Sequence, residues 1–151
     1  MEIIIFLSEA VALVRGIYLE TCFQMKETNI VKPLLPKELP SFVSRFGNFV
    51  DAEIRSINIV SPKTMNIVIA CQDTARGFDW LTITLECNNI IDARLIENSK
   101  LSLVDMSEGA SLIYEDGNFS LGIGSYNNLS GIKNATIYII SSSIKYEEGS
   151  F

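Results

Sequence analysis

Hydrophobic and polar residues alternate along most of the chain after residue 51, as they do in strands with one buried face. The segment DWLTITLEC (residues 79–87) shows the alternation most clearly. Leu81, Ile83 and Leu85 share one face, which predicts that this face packs on a core. The opposite face carries Trp80, Thr82, Thr84 and Glu86. The segment is therefore predicted to be a half-buried antiparallel strand.

Further segments predict strands on the same grounds: AEIRSINIV, MNIVIAC, IIDARLIE, LSLVD, the two arms of ASLIYEDGNFSLGIG, and ATIYIISSSIKYEE. Asp116-Gly117 predicts a two-residue hairpin turn, because both central positions of such a turn require positive φ. The connections are too short for crossover helices, which favours antiparallel pairing over parallel βαβ units.

The first 50 residues have a different texture. On a helical wheel, the apolar residues between positions 3 and 17 fall opposite Glu2, Glu9 and Glu20, which predicts an amphipathic helix over about Ser8 to Gln24. A proline-rich connector, VKPLLPKELP, follows, with one helical turn expected near Pro40 to Phe46.

The whole chain is therefore predicted to be one α+β domain. Residues 1–50 supply one main N-terminal helix and the connector, and residues 51–151 supply a mainly antiparallel sheet of seven or eight short strands.

Composition and charge narrow the function. The net charge is −6, and residues 51–151 hold all of the acidic excess. This favours a basic protein partner over nucleic acid, which needs clustered Lys and Arg. Charges within the apolar N-terminal stretch argue against a membrane span or a signal peptide. Three widely spaced cysteines predict buried thiols in a reducing, cytoplasmic setting.

The chain contains no histidine, which removes the usual general base and the commonest metal ligand. We therefore predict no catalytic residues, no metal site and no cofactor. We also expect the protein to be a monomer or a weak dimer.

Acidic and aromatic residues of the β part are the candidate partner contacts. The loop DTARGFD is expected to be exposed and to carry Asp73 and Asp79. Trp80 is expected on the strand face away from the core, as an aromatic interface anchor between Asp79 and Glu86. The alternative is that a second layer covers Trp80. The hairpin adds Tyr114, Glu115 and Asp116, of which Tyr114 is a second candidate anchor.

A group of charges opens the first predicted strand of the β part. Asp51, Glu53 and Arg55 share one side of a regular strand with Ile57 and Ile59, so that face changes from polar to apolar. A strand that enters at the rim of a sheet and continues beneath a helix has this pattern.

The segments FGNFVDAEIRSINIV, MNIVIAC and FDWLTITLECNNIIDARLIE, within residues 46–97, resemble a pattern found in bacterial immunity proteins of polymorphic toxin systems, including contact-dependent growth inhibition. That pattern begins a strand with Phe-His-Asp. Phe49 and Asp51 match its strand-entry motif, whereas Val50 stands at the histidine position. The resemblance implies a small cytoplasmic protein that binds one cognate toxin and blocks its active site, commonly a nuclease cleft.

Two other functions remain open from the sequence. One is a small-ligand-binding or enzymatic domain, which requires an enclosed pocket with convergent polar groups. The other is a subunit of a larger assembly whose strand edges pair with another chain.

Overall fold

A computed structural model describes residues 30–151 of the chain. Seven strands occur in the order β1 (Val31–Pro33), β2 (Glu53–Ser61), β3 (Thr64–Asp73), β4 (Asp79–Arg94), β5 (Ala110–Glu115), β6 (Asn118–Ile123) and β7 (Tyr138–Ser150). Two short α-helices are α1 (Leu39–Arg45) and α2 (Leu129–Ile132). Single 3-10 segments span Pro36–Glu38, Gly47–Phe49, Thr74–Arg76 and Asn98–Leu103. The described part of the chain is thus mostly strand.

The strands form one antiparallel sheet in the order β2-β3-β4-β7-β6-β5, and β1 pairs separately with β7. Long strands β4 and β7 pair from Leu81↔Ser150 to Arg94↔Tyr138 and form the centre of the sheet. On the side of β7 that faces away from β4, the first half of the strand pairs with β6 and the second half pairs with β1. Antiparallel pairing throughout confirms the prediction made from the short connections.

One face of the sheet, called here the inner face, packs against α1 and the turn that follows it. Ile69, Ile83 and Leu85 on this face are fully buried. Phe42 of α1 packs edge to face on Phe46, with ring centroids 5.2 Å apart, and Phe46 stacks on Phe49. These three aromatic side chains cover the apolar sheet face and close the main core. A smaller cluster on the opposite face contains Ile132, Ala135, Tyr138 and Ile140.

Two sequence predictions are confirmed in detail. In β4, Leu81, Ile83 and Leu85 are buried together, while the alternate residues are more exposed. Between β5 and β6, Asp116 and Gly117 adopt φ of 56° and 79°, and Glu115 pairs with Asn118 across the turn. Positive φ at both central positions is what the Asp-Gly pair indicated.

Other boundaries differ from the prediction. DWLTITLEC and IIDARLIE are one continuous strand, β4, which passes through a positive φ at Asn89 and a register shift between Ile90 and Asp92. LSLVD lies largely in the 3-10 segment Asn98–Leu103 and is not a strand. The connector contains strand β1, and its helical turn is α1. The helix predicted over Ser8 to Gln24 lies outside the described residues.

The first predicted strand also differs, because it contains a β-bulge. Ile54 pairs with Ile69 but Ser56 pairs with Val68, so Arg55 is an extra residue in β2. The bulge shifts the alternation by one position, and the buried residues are Ile54 and Ile57. The prediction that Arg55 shares a regular face with Ile57 and Ile59 is therefore wrong, and Ile59 is 66 % exposed.

Candidate functional site

The sheet face away from α1, called here the outer face, carries an aromatic pair at the start of β4. Trp80 lies on this face because it alternates with buried Leu81. Leu81 pairs with Ser150 at the end of β7, which brings the following residue, Phe151, beside Trp80. The two ring centroids are 5.4 Å apart, and Trp80 remains 39 % exposed and Phe151 64 % exposed.

A charged pair from β2 joins the aromatic pair. The guanidinium carbon of Arg55 lies 4.8 Å from the centroid of the Phe151 ring, a cation–π distance. Its Nε donates to Oε1 of Glu53 at 3.1 Å, so the acid fixes the orientation of the guanidinium. Glu53 of β2 pairs with Ala70 of β3, which in turn pairs with Thr82 of β4, so Glu53 lies on the same face of the sheet as Trp80. Ala70, between them, is small and fully buried.

Glu53, Arg55, Trp80 and Phe151 are called here the Trp80 surface. Trp and Arg are among the residue types that contribute most at protein interfaces, and the contact with Phe151 and the bond to Glu53 already restrict the Arg55 side chain. Asp79 is exposed but alternates with Trp80 and pairs with Asp73, so it lies on the α1 side at the start of β4, beside this surface. The arrangement offers an apolar centre, one oriented cation and acidic surroundings, and this suits contact with another protein surface.

Asp73 does not belong to this surface, and the prediction that it is an exposed loop contact is wrong. Its side chain is fully buried at the end of β3. Arg45, at the end of α1, donates from Nε to Oδ1 at 2.9 Å and from Nη2 to Oδ2 at 2.7 Å. The same guanidinium binds Glu148 of β7 at 2.9 and 3.1 Å. Arg45 therefore ties α1 to β3 through Asp73 and to β7 through Glu148.

Ion pairing shifts the pKa values of Asp73 and Arg45. Hydrogen bonds from Arg45 hold the pKa of Asp73 below its ordinary value, and a bond from the main-chain N–H of Ala75 acts in the same direction. The two carboxylates in turn raise the pKa of Arg45, with the bond to Asp73 contributing most. The ion group of Arg45, Asp73 and Glu148 joins α1, β3 and β7 and is a structural element of the fold.

The hairpin candidates lie apart from the Trp80 surface. Phe119 on β6 pairs with Ser141, whereas Leu81 pairs with Ser150, and these two positions on β7 are nine residues apart. At about 3.3 Å per residue this is roughly 30 Å along the strand. Two of the three hairpin residues have structural contacts. Tyr114 packs edge to face on Phe119 at 4.9 Å, and Glu115 accepts a hydrogen bond from the N–H of Leu129 at 2.9 Å.

The remaining candidates have separate positions. Glu86 is half-buried on the outer face and pairs in register with Lys145. Phe49 of the strand-entry motif is fully buried in the core, with φ of 59°. Asp51 is exposed, has φ of 60° and precedes β2. The structure thus brings together Glu53, Arg55 and Trp80, and separates them from the other predicted residues.

Sequence reasoning missed Phe151, which completes the surface. It lies outside every strand that the alternation predicts. The β4–β7 register places it, and that register depends on pairing between residues far apart in sequence. The isolated aromatic after a predicted strand was the only available signal.

Two cysteines lie in the described part of the chain. Cys71 and Cys87 are buried free thiols, and burial raises the pKa of each to about 12. Within residues 30–151, no group of three or more Cys, Asp or Glu side chains is placed to hold a metal ion.

Comparisons with known proteins add no relative. No protein-family model matches this chain, no curated protein matches it significantly, and no solved structure matches it significantly. In the part of the chain that the structure describes, none of the helices has the length and apolar character needed to cross a bilayer.

Proposed function

We propose that this protein binds another protein through the Trp80 surface, and that it is an immunity protein that neutralises a bacterial toxin in the cytoplasm. The observation that carries the proposal is the convergence of Trp80, Phe151 and Arg55 from three strands onto one exposed patch. Neither Trp80 nor Phe151 belongs to the main core. Leaving two large apolar side chains exposed forgoes the stability that their burial would provide, which favours a role in binding over a purely structural one.

Charge supports a basic partner. The chain carries a net charge of −6, Glu53 borders the aromatic centre, and the exposed Asp79 lies beside it at the start of β4. Acidic rims accelerate encounter with a basic surface, while the buried centre sets the dissociation rate. A toxin nuclease grips phosphates with a basic cleft, and an acidic protein that covers the cleft excludes the substrate. The resemblance in residues 46–97 agrees with this role.

The proposal is tested with the protein encoded by the reading frame immediately upstream, expressed as its C-terminal domain. Stopped-flow association is measured from low to high salt for the native chain and for Asp79→Lys. We expect association to be fast at low salt, to slow as salt increases, and to be slower and less salt-dependent for Asp79→Lys.

Two controls complete the experiment. Asp92→Lys reverses another exposed acid of β4, beyond Asn89, and is expected to change the association rate less than Asp79→Lys. The toxic activity of the upstream domain, assayed on nucleic acid, is expected to be lost at a one-to-one ratio. Binding with full toxic activity retained would contradict inhibition by occlusion, and equal rates for both variants would remove Asp79 from the interface.

A further inference from the structure

The two edges of the sheet are protected to different degrees. Along β2, register shifts interrupt the ladder between Ile54 and Ser56 and between Ile59 and Ser61. The side chain of Asn98 also accepts a hydrogen bond from the main-chain N–H of Ile57 at 3.0 Å. These features block the addition of another strand. By contrast, β5 pairs regularly with β6 from Ala110 to Glu115 without a register shift.

Within residues 30–151, the outer edge of β5 presents main-chain groups that have no hydrogen-bond partner. Glu115 and Asn118 close a two-residue turn, so they exchange both main-chain hydrogen bonds, and every second residue before Glu115 does the same. Leu112 and Tyr114 therefore direct their N–H and C=O groups away from β6. Among residues 30–151 no hydrogen bond reaches these outward groups, and β5 has no strand neighbour besides β6.

A groove of about 860 Å³ follows this edge. One wall is apolar and comes from the segment containing α1, with Leu39, Pro40 and Val43, while the other wall is β5 itself from Ala110 to Tyr114. A strand added to β5 would place alternate side chains against the α1 wall. Edge and groove together have the geometry for β-strand addition, in which main-chain bonds give affinity and the wall gives selectivity.

The charges near the groove favour a basic occupant. Glu108 is the charged residue in the described lining, and at the far end of β5 Glu115 and Asp116 outnumber Lys133, with which they share a smaller pocket. A second copy of this chain is disfavoured, since antiparallel β5–β5 pairing centred on Leu112 places Glu108 opposite Asp116 of the copy. We propose that β5 accepts, as an additional strand, an extended segment of a partner protein that carries basic side chains.

This inference goes beyond the proposed function and uses a different surface. The groove lies on the α1 side of the sheet at the β5 edge, whereas the Trp80 surface lies on the outer face near the β2 side. Trp80→Ala is therefore expected to leave binding at β5 unchanged. Failure of one site leaves the other standing.

The probe is a synthetic octapeptide of alternating Lys and Val, titrated to millimolar concentration while amide exchange is followed by NMR. We expect the peptide to slow exchange of the Leu112 and Tyr114 amides and to leave the amide of Ile57, on the opposite edge, unchanged. A control peptide with N-methylated valines, which donates no hydrogen bond from those residues, is expected to give no protection.

A pair of charge variants tests the choice of a basic segment. Glu108→Lys, in the groove, is expected to weaken peptide binding about fivefold at low salt. Glu97→Lys, at an exposed site outside the groove lining, is the matched control and is expected to have less effect. The proposal is overturned by absence of binding, by equal protection from the methylated peptide, or by equal effects of the two charge variants. Protection that rises with protein concentration without peptide would identify a second copy as the occupant and overturn it as well.

Discussion

Removing Arg45 is predicted to cost much more stability than its partly exposed position suggests. Arg45→Met keeps the aliphatic part of the side chain and deletes the four hydrogen bonds to Asp73 and Glu148. Glu148 is 26 % exposed and regains water, but Asp73 is fully buried and, among the described residues, keeps the N–H of Ala75 as its close donor. Leaving a buried charge without its partner costs about 3–5 kcal/mol.

Partial exposure of Arg45 places the expected cost at the lower end of that range, about 3 kcal/mol. Arg76→Met is the matched control, because Arg76 lies 4.0 Å from the same carboxylate but is 58 % exposed. It is expected to cost less than about 1 kcal/mol. Both values are measured by urea unfolding followed by far-UV circular dichroism at pH 7.

The loss of stability caused by Arg45→Met is expected to become smaller as the pH falls. The pKa of Asp73 is lowered in the folded chain by Arg45, so the ionised form is favoured by folding. The resulting stability is complete above the unfolded pKa of about 3.9 and is lost as pH falls through the lower folded pKa. The penalty of Arg45→Met must therefore shrink in strongly acidic buffer. A cost equal to that of Arg76→Met, or one that grows with acid, would refute the role given to this pair.

Three further predictions follow from local geometry. Gly109→Ala is expected to lower the free energy of unfolding by more than about 3 kcal/mol, because the added Cβ collides with the carbonyl oxygen of Asn48. Gly117→Ala is the control, since Gly117 has a similar positive φ but open space around it. It is expected to cost about 1–2 kcal/mol in the same assay. In a Cys22→Ser background, Cys71 and Cys87 are expected to resist a thiol reagent at pH 8 until urea unfolds the chain, since burial raises the pKa of both; rapid labelling of the native state would contradict this. Phe151→Ala is expected to increase acrylamide quenching of the single tryptophan, and unchanged quenching would show that the two rings do not pack in solution.

Local pattern predicted the features that depend on neighbouring residues in the chain. The alternation of Leu81, Ile83 and Leu85 fixed which face of β4 is buried, and Asp116-Gly117 located the hairpin turn. Both follow from residues within a few positions of each other. The antiparallel class followed from short connections for the same reason.

Features set by distant residues were not predictable in this way. The bulge at Arg55 depends on how β2 pairs with β3, and it moved the charged residues onto a different face from the one expected. Asp73 looked like a solvated loop acid because its partner, Arg45, lies 28 positions earlier in the chain. Phe151 joins Trp80 only through the β4–β7 register. Each of these contacts requires the tertiary structure.

The central claim is that the Trp80 surface is the binding centre, and its one tryptophan reports on it directly. The emission spectrum is recorded during titration with the C-terminal domain of the upstream-encoded protein, using a tryptophan-free version of that domain. The account predicts a shift to shorter wavelength on binding, and at least a thirtyfold weaker affinity for Trp80→Ala by calorimetry, as for an interface hot spot of about 2 kcal/mol. An unchanged spectrum together with undiminished affinity of Trp80→Ala would contradict it.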